Sequence, residues 1–372
     1  MNKKIIIGII GAVILVAIIG LFGRSSQNNL SSSQPIKVGA ALALTGDAAS
    51  WGEESLKAAQ LAIDEINDKG GINGKKFELV VEDMKSSSKD SVLAVSKLVN
   101  VDKVRAVMIT WLDSYPGSES VVPENIPLIS QDAAIESVNV PVNHSNVFSL
   151  WYRTSSKAEV TMSAVEDSQV KNIYIVLQHD PYYTKLAEFL KNEADKQGIQ
   201  VVGQEFINPG DDSRSIIAKI GSAKPDAVFF GSYDEKLSVD FLKRYYQQIK
   251  GPRLFGDEFI EQDLDNKNFN PEWLEGITYY VPADPDRSFA TKFNSRFGHM
   301  PKFSAQTTYD TVFVIAEYLK DNPQDLSSYM KNSNFNTLTY GKIKFDSIGG
   351  VVSNVPAIAV KIIRDGKPNP IK

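Results

Sequence analysis

The chain has 372 residues, of which 42% are hydrophobic and 23% charged, and a formal net charge of −5. This length exceeds one ordinary domain and allows a sizeable core, so we expect two lobes. The sequence contains no cysteine, which excludes disulfides, thiolate metal sites and cysteine catalysis, and its interspersed charges lack the basic stripe of a nucleic-acid surface.

The N-terminal segment is predicted to be a signal or anchor followed by a tether. Two lysines precede the uncharged run Ile5 to Phe22, and a Ser/Gln/Asn-rich stretch, Ser25 to Gln34, follows it. The run is at the short end for a membrane-spanning helix and longer than the apolar core of a usual cleavable signal. We expect a retained helix with the rest of the chain outside. Cleavage near Gly23 and Ser25 stays open.

The next stretch predicts one strand, helix and strand unit. Ile36 to Leu44 is an apolar run, and Phe77 to Glu82 is a second one. Between them, apolar residues recur on one helical face at Leu56, Ala59, Ile63 and Ile66. The Gly-rich segment Gly70 to Gly74 ends this helix. Such a crossover is typical of a parallel sheet.

Trp51 lies between the first strand and the helix. Open α/β sheets bind ligands at this carboxyl edge, so contact with a ligand is one interpretation. Packing over the end of the sheet is the other, because large aromatic residues pack wherever a helix meets a strand.

The string GDAASWGEESLKAAQLAIDEINDKGGINGKKFELVVED resembles the start of the branched-chain amino acid binding proteins, which are type I periplasmic solute-binding proteins of ABC importers. The Trp-Gly pair, the amphipathic helix ending in Ile-Asn and the motif GGINGKK carry the resemblance together. It extends from about Ile36 to the C-terminus. It implies an α/β fold with two Rossmann-like lobes, each built on a parallel sheet, and a hinge of three crossovers. Many family members have a disulfide in the first lobe, which this chain cannot form.

The remaining sequence fits two such lobes. Helices and apolar strands alternate from Ser156 to Ile249, which indicates a parallel sheet covered on both faces. By the resemblance, crossovers lie near Arg153 and at Tyr340 to Asp346, and Pro282 to Pro285 is predicted as the one between them. We therefore divide the chain into an anchor and tether at 1–35, a first lobe at 36–151 plus 283–335, and a second lobe at 152–282 plus 336–372.

The resemblance implies that two carboxyl-edge loops of the first lobe hold the ligand's carboxylate, through hydroxyl groups and backbone N–H groups at helix starts. These loops contain Trp111, Ser114, Asp132, Ala133 and Ala134. The two hydroxyl positions fall on Trp111 and Ala134, and Ser114 could replace one hydroxyl. Asp132 lies where a neutral residue is usual and would repel an amino acid's carboxylate. A helix cap facing solvent is the alternative for Asp132.

Carboxyl-edge loops of the second lobe supply three more candidates. By the resemblance, Tyr182 and Tyr233 match ligand-lining tyrosines, and Glu258 matches the acid that pairs with the ligand's ammonium group. No lysine or arginine adjacent in sequence neutralises Glu258. We expect Glu258 to anchor a cationic or hydrogen-bond-donating part of the ligand, with a solvated acid at a loop tip as the alternative.

We predict no catalytic residue, cofactor or metal site. The three histidines are scattered, no Gly-rich phosphate loop follows the first strand, and no G-x-S-x-G motif is present. The adjacent acids Asp257 and Glu258 are expected to point in different directions, which does not suit acid-base hydrolysis.

The function expected is that of an extracytoplasmic, monomeric binding protein. It closes its lobes on an amino acid or related small polar ligand and presents it to an ABC permease in the membrane. A membrane-anchored sensing domain that signals through a partner is the alternative, which retention of the N-terminal helix would favour.

Overall fold

The computed structural model describes residues 34–110, 117–137, 145–264, 269–302, 304–355 and 357–371. The strands are β1 (Ile36–Leu42), β2 (Phe77–Asp83), β3 (Val107–Ile109), β4 (Leu128–Ser130), β5 (Val147–Ser149), β6 (Asn172–Gln178), β7 (Gln200–Ile207), β8 (Ala227–Gly231), β9 (Arg253–Gly256), β10 (Thr278–Pro282), β11 (Phe335–Thr337), β12 (Gly341–Phe345), β13 (Val351–Ser353), β14 (Ile358–Arg364) and β15 (Lys367–Pro370). The α-helices are α1 (Ala49–Asp68), α2 (Ser88–Asn100), α3 (Thr154–Asp167), α4 (Pro181–Lys196), α5 (Arg214–Ala223), α6 (Glu235–Gln248), α7 (Ile260–Leu264), α8 (Arg287–Phe297), α9 (Ala305–Asp321) and α10 (Leu326–Asn332).

The first lobe is built on a parallel sheet of five strands in the order β2-β1-β3-β4-β5. The apolar face of α1, which includes Ala59, Ile63 and Ile66, is buried together with α9 against one side of this sheet. The apolar residues of α2, such as Val95 and Leu98, are buried on the other side. The sheet is therefore covered on both faces, as its buried apolar strands require.

The second lobe contains a seven-stranded sheet in the order β15-β14-β10-β9-β8-β6-β7. Strands β6 to β10 run parallel, whereas β14 pairs antiparallel with β10 and β15 pairs antiparallel with β14. Helices α3 and α4 pack on one face and α5 and α6 on the other. The predicted α/β fold with two parallel-sheet lobes is confirmed, with an antiparallel edge on the second sheet.

The short antiparallel sheet β11-β12-β13 packs against the first lobe. Phe345 lies 5.1 Å from Phe148, measured between ring centroids, and both belong to the apolar core that contains β1 and α9. A bridge joins Ser149 to Gly350. We therefore propose that residues 336–353 belong to the first lobe, which moves the third crossover from 340–346 to the connection between β13 and β14.

Strand β15 forms one outer edge of the second sheet. The Ile371 N–H donates to the Val360 carbonyl over 2.8 Å, beside the pair Lys361 and Pro370. Hydrogen-bonded and non-bonded pairs alternate in an antiparallel ladder. The backbone nitrogens of Pro368 and Pro370 therefore face away from β14.

Some predictions concern residues outside the described ranges. These are the N-terminal anchor, Trp111 and Ser114. Among the described helices, none combines the length and apolar character needed to cross a membrane.

Candidate ligand-binding site

A cavity lies between the two lobes. Its lining follows the carboxyl ends of β4 and β5 in the first lobe and of β6, β8 and β9 in the second, the usual position of ligand sites in open α/β sheets. The first lobe supplies Trp51, Asp132, Ala133, Ala134 and Trp151, and the second supplies Lys157, Asp180, Tyr182, Tyr233, Glu258 and Phe259.

The cavity brings together most of the residues that the sequence singled out. Those that line it are Trp51, Asp132, Ala133, Ala134, Tyr182, Tyr233 and Glu258. Trp111 and Ser114 lie outside the described residues. The lining also contains Trp151, Lys157, Asp180 and Phe259, which sequence reasoning missed.

Aromatic rings from both lobes meet at this cavity. The ring centroid of Trp51 lies 6.2 Å from that of Trp151 in the first lobe and 6.1 Å from that of Phe259 in the second. Phe259 in turn lies 5.8 Å from Tyr233. Trp51 thus packs against other rings and also lines the cavity, so the two interpretations of this residue are compatible.

Glu258 forms a buried ion pair with Lys157. The Lys157 ammonium donates to Glu258 Oε1 over 2.5 Å and to the Tyr182 hydroxyl over 2.8 Å. The Lys157 and Glu258 side chains are only 1% and 6% exposed. No residue adjacent in sequence neutralises Glu258, but Lys157 of α3, 101 residues away, does so in the folded chain. The alternative of a solvated loop-tip acid is therefore wrong.

Aromatic rings surround the Lys157 ammonium. Its Nζ lies 4.7 Å from the ring centroid of Tyr182, 4.8 Å from Tyr152, 5.7 Å from Tyr280 and 6.0 Å from Trp151. Ring faces attract a cation at such distances. Protein groups on several sides therefore stabilise the positive charge of Lys157.

Glu258 Oε2, unlike Oε1, has no hydrogen-bond partner among the described residues. This oxygen is also buried. An unsatisfied buried acceptor typically costs about 1–3 kcal/mol, more when it is charged. Because Glu258 lines the cavity, a ligand that donates a hydrogen bond could satisfy this oxygen.

The neighbouring tyrosines remain protonated. Burial, followed by the charge of Glu258, raises the pKa of Tyr182 and of Tyr280 well above its ordinary value. Their hydroxyl oxygens lie 3.2 Å apart, and the Tyr182 hydroxyl lies 3.4 Å from Glu258 Oε1. These hydroxyls fix the position of the ion pair through hydrogen bonds.

Asp257 faces away from the ligand cavity. Its Oδ2 accepts a hydrogen bond of 2.6 Å from the Tyr183 hydroxyl in the core of the second lobe. Burial and the nearby charge of Glu258 raise its pKa well above the ordinary value. Asp257 therefore points into the second-lobe core and Glu258 points into the cavity, in agreement with the expectation that the two acids point in different directions.

The first-lobe loop after β4 is held by side chains of the same lobe. The Ala133 N–H donates to Ser130 Oγ over 3.0 Å, and Ser149 Oγ donates to the Ala133 carbonyl over 2.7 Å. Asp132 is half-buried and lines the cavity, so it is more than a cap directed at bulk solvent. Ala134 brings no hydroxyl group to this wall.

Residues 35–366 match the family model described as periplasmic binding protein. The Leu/Ile/Val-binding protein BraC3 of Rhizobium johnstonii is 32% identical, over 53% of this chain and 54% of that protein, so this match spans about half of each. The leucine-, isoleucine-, valine-, threonine-, and alanine-binding protein of Pseudomonas aeruginosa is 24% identical, over 90% of this chain and 91% of its own length.

A solved structure shares the fold. It is the branched-chain amino acid transporter substrate binding protein LivJ from Streptococcus pneumoniae in complex with isoleucine. The TM-score is 0.73 at 20% sequence identity, and the match covers 90% of this chain and 98% of the other.

Proposed function

The chain belongs to the periplasmic binding protein family, and from that premise we propose that it is an extracytoplasmic substrate-binding protein of an ABC importer. It takes an amino acid or related small polar ligand into the cavity between its lobes and presents it, as a monomer, to a permease in the membrane. The names of the relatives from Rhizobium and Pseudomonas, which bind branched-chain amino acids, support this proposal.

The observation that carries the proposal is that both lobes line one cavity. Trp51 and Asp132 approach it from the first lobe, and Tyr233 and Glu258 approach it from the second. A ligand that touches both walls binds the closed arrangement better than an open one and shifts the population toward closure. Binding and hinge motion are therefore coupled.

Each site residue has a proposed part. Trp51 and Trp111 form aromatic walls on the first-lobe side, and Tyr182 and Tyr233 flank the ligand from the second lobe. Glu258 receives its donor group. The first-lobe loops contribute Ser114, Asp132, Ala133 and Ala134. A sensing role depends on the N-terminal segment, which lies outside the described residues, and the relatives give it no support.

Isothermal titration of the purified full chain against amino acids, their amides, amines and short organic acids tests the proposal. We expect at least one ligand near micromolar affinity, which corresponds to about −8 kcal/mol. Small-angle scattering should show a smaller radius of gyration at saturation. Absence of binding across the whole panel would contradict the transport function.

Tryptophan fluorescence tests the walls separately. Trp51→Phe and Trp111→Phe should each reduce the ligand-induced change in emission. Trp273→Phe is the matched control, because Trp273 packs on Phe269 outside the cavity. If Trp51→Phe changed neither the ligand-induced emission nor the affinity, Trp51 would have only a packing role.

A further inference from the structure

We infer that the ligand is an organic cation without a free carboxylate, such as an amine or an amino acid amide, rather than a zwitterionic α-amino acid. The inference rests on the proposed function and narrows it to one class of ligand. Four features of the cavity support it: its charges, the unsatisfied acceptor on Glu258, the few groups in the first-lobe loop that can bind a carboxylate, and the aromatic walls.

The charge of the lining favours a cation. Asp132, Asp180 and Glu258 bring three carboxyl groups to the described lining, and Lys157 brings its single ammonium group. That ammonium already donates to Glu258 Oε1 and Tyr182 and is surrounded by aromatic rings. The cavity therefore attracts a positive group and repels a carboxylate.

Glu258 adds a specific requirement for a hydrogen-bond donor. Its side chain is 6% exposed, and Oε2 has no hydrogen-bond partner among the described residues. A charged acceptor buried at a cavity wall gains most from a cationic donor, because charge-assisted hydrogen bonds are the strongest. An ammonium or amide nitrogen of the ligand supplies such a donor, whereas a carboxylate does not.

The first lobe offers little to a ligand carboxylate. The Ala133 N–H is already used by Ser130 Oγ, and Ala134 carries no hydroxyl. None of the described first-lobe residues that line this cavity has a cationic side chain, whereas Lys302 lines an adjoining cavity that shares Trp51 and Trp151. The carboxylate receptor that the resemblance implies is thus replaced by an acid, Asp132.

The aromatic walls suit the same ligand. Trp51, Trp151, Tyr233 and Phe259 surround the cavity with ring surfaces. Such surfaces bind both the methylene groups of an amine and its cationic end through cation–π attraction. The binding of a small organic cation therefore uses the charged and the apolar lining together.

Matched ligand pairs test the inference on the purified full chain. Leucine is compared with 3-methylbutylamine, which lacks only the carboxylate, and with leucinamide, in which the carboxylate is neutralised. Phenylalanine with phenethylamine and lysine with cadaverine repeat the comparison for other side chains. Isothermal titration should show that the amine or amide of at least one pair binds at least about tenfold more tightly than its amino acid.

The outcomes separate the two proposals. If an amino acid or 4-methylpentanoate binds as tightly as the matching amine, the inference is wrong while the proposed function stands. If no member of any pair and no other compound of the wider panel binds, the proposed function fails and the inference fails with it.

A charge-neutralising variant locates the selectivity. Asp132→Asn should reduce the affinity for the preferred amine at least about tenfold and lower the ratio of amine to amino acid affinity. Asp195→Asn removes an exposed acid of α4 outside the cavity and should leave both quantities unchanged. Because the ratio compares two ligands on one protein, a loss of folded protein in either variant cannot imitate the result. An unchanged ratio in Asp132→Asn would overturn the role given to this acid.

Discussion

The Lys157 and Glu258 side chains place two opposite charges where water has almost no access. Burial of each charge is unfavourable on its own, and the mutual attraction compensates only when the geometry is good and the remaining polar atoms find partners. Here the Tyr182 hydroxyl and the surrounding rings provide partners for the ammonium. The pair is therefore sensitive to the loss of either member.

Lys157→Met should lower the free energy of unfolding by about 3–5 kcal/mol, because it leaves the Glu258 charge buried without a partner. The double variant Lys157→Met/Glu258→Gln should recover part of this loss. Urea denaturation measures both. Lys185→Met is the matched control, since its pair with Glu188 is exposed and should contribute no more than about 1 kcal/mol. If Lys157→Met and Lys185→Met lost the same unfolding free energy, burial would not make an ion pair more important for stability.

The sequence predicted the site residues that directly follow strands. Tyr182, Tyr233 and Glu258 belong to this group, and all three line the cavity. Lys157 was not predicted as a site residue because it lies on a helix and meets Glu258 only in the folded chain. One signal was present: Lys157 lies on the buried face of α3 with Ala158 and Thr161, where an unpaired lysine is not expected.

At the scale of elements, Asp310 joins α9 to the small sheet. Its carboxylate accepts hydrogen bonds from the Leu338 and Thr339 N–H groups, each 2.8 Å, and from the Thr339 hydroxyl at 2.6 Å. Burial nevertheless outweighs these bonds and raises the pKa of Asp310 to about 6. The connection between β11 and β12 therefore depends on a carboxyl group that titrates in mildly acidic solution.

Asp310 should make stability depend on pH in a defined direction. Because its folded pKa lies above 3.8, the folded protein holds this proton more tightly than the unfolded chain. The contribution is fully present below about pH 4 and is lost as the pH rises through about 6. The stability of the wild type minus that of Asp310→Asn should thus fall by on the order of 3 kcal/mol from about pH 4 to about pH 7.

Chemical denaturation across this pH range measures the difference, with Asp195→Asn as a control whose difference from the wild type should stay constant. A difference that grew with pH would mean that the three hydrogen bonds dominate over burial and that the pKa is depressed.

Long elements with a regular apolar pattern were predictable, and short ones were not. The helix predicted from Leu56, Ala59, Ile63 and Ile66 forms as α1, and the strands predicted at 36–44 and 77–82 form as β1 and β2. Strands β11 to β13 were missed because each has only one or two buried residues. The resemblance implied a crossover at Tyr340 to Asp346, whereas Ile343 and Phe345 are buried in the first-lobe core.

At the scale of the whole molecule, Arg153 fixes the start of the second lobe to the first. Its Nη1 donates to Glu136 over 3.0 Å, and its Nη2 pairs with Asp346. Glu136 also accepts from the Ser155 N–H at 2.6 Å. Chain length was enough to predict two lobes, and the strict alternation of elements predicted a covered parallel sheet. Their mutual approach, which creates the cavity, depends on contacts such as these between distant residues, which no local pattern contains.

The outer strand β15 affects whether separate molecules of this protein associate through their sheet edges. An exposed sheet edge with free N–H groups is a template on which a strand from another chain can add, and proline removes such a donor. Pro368 and Pro370 occupy the two outward-facing positions of β15, so a further strand would find no backbone donors there.

Restoring these donors should therefore produce self-association. Pro368→Val/Pro370→Val adds two outward N–H groups and should form dimers or larger species as concentration rises, observed by sedimentation velocity. Asn369→Val is the control, since its N–H faces β14 in either form. If the double variant sedimented like the wild type at every concentration, the prolines would not be what protects this edge. If it aggregated, two prolines of a single edge strand would account for the protein's ability to remain dispersed at high concentration.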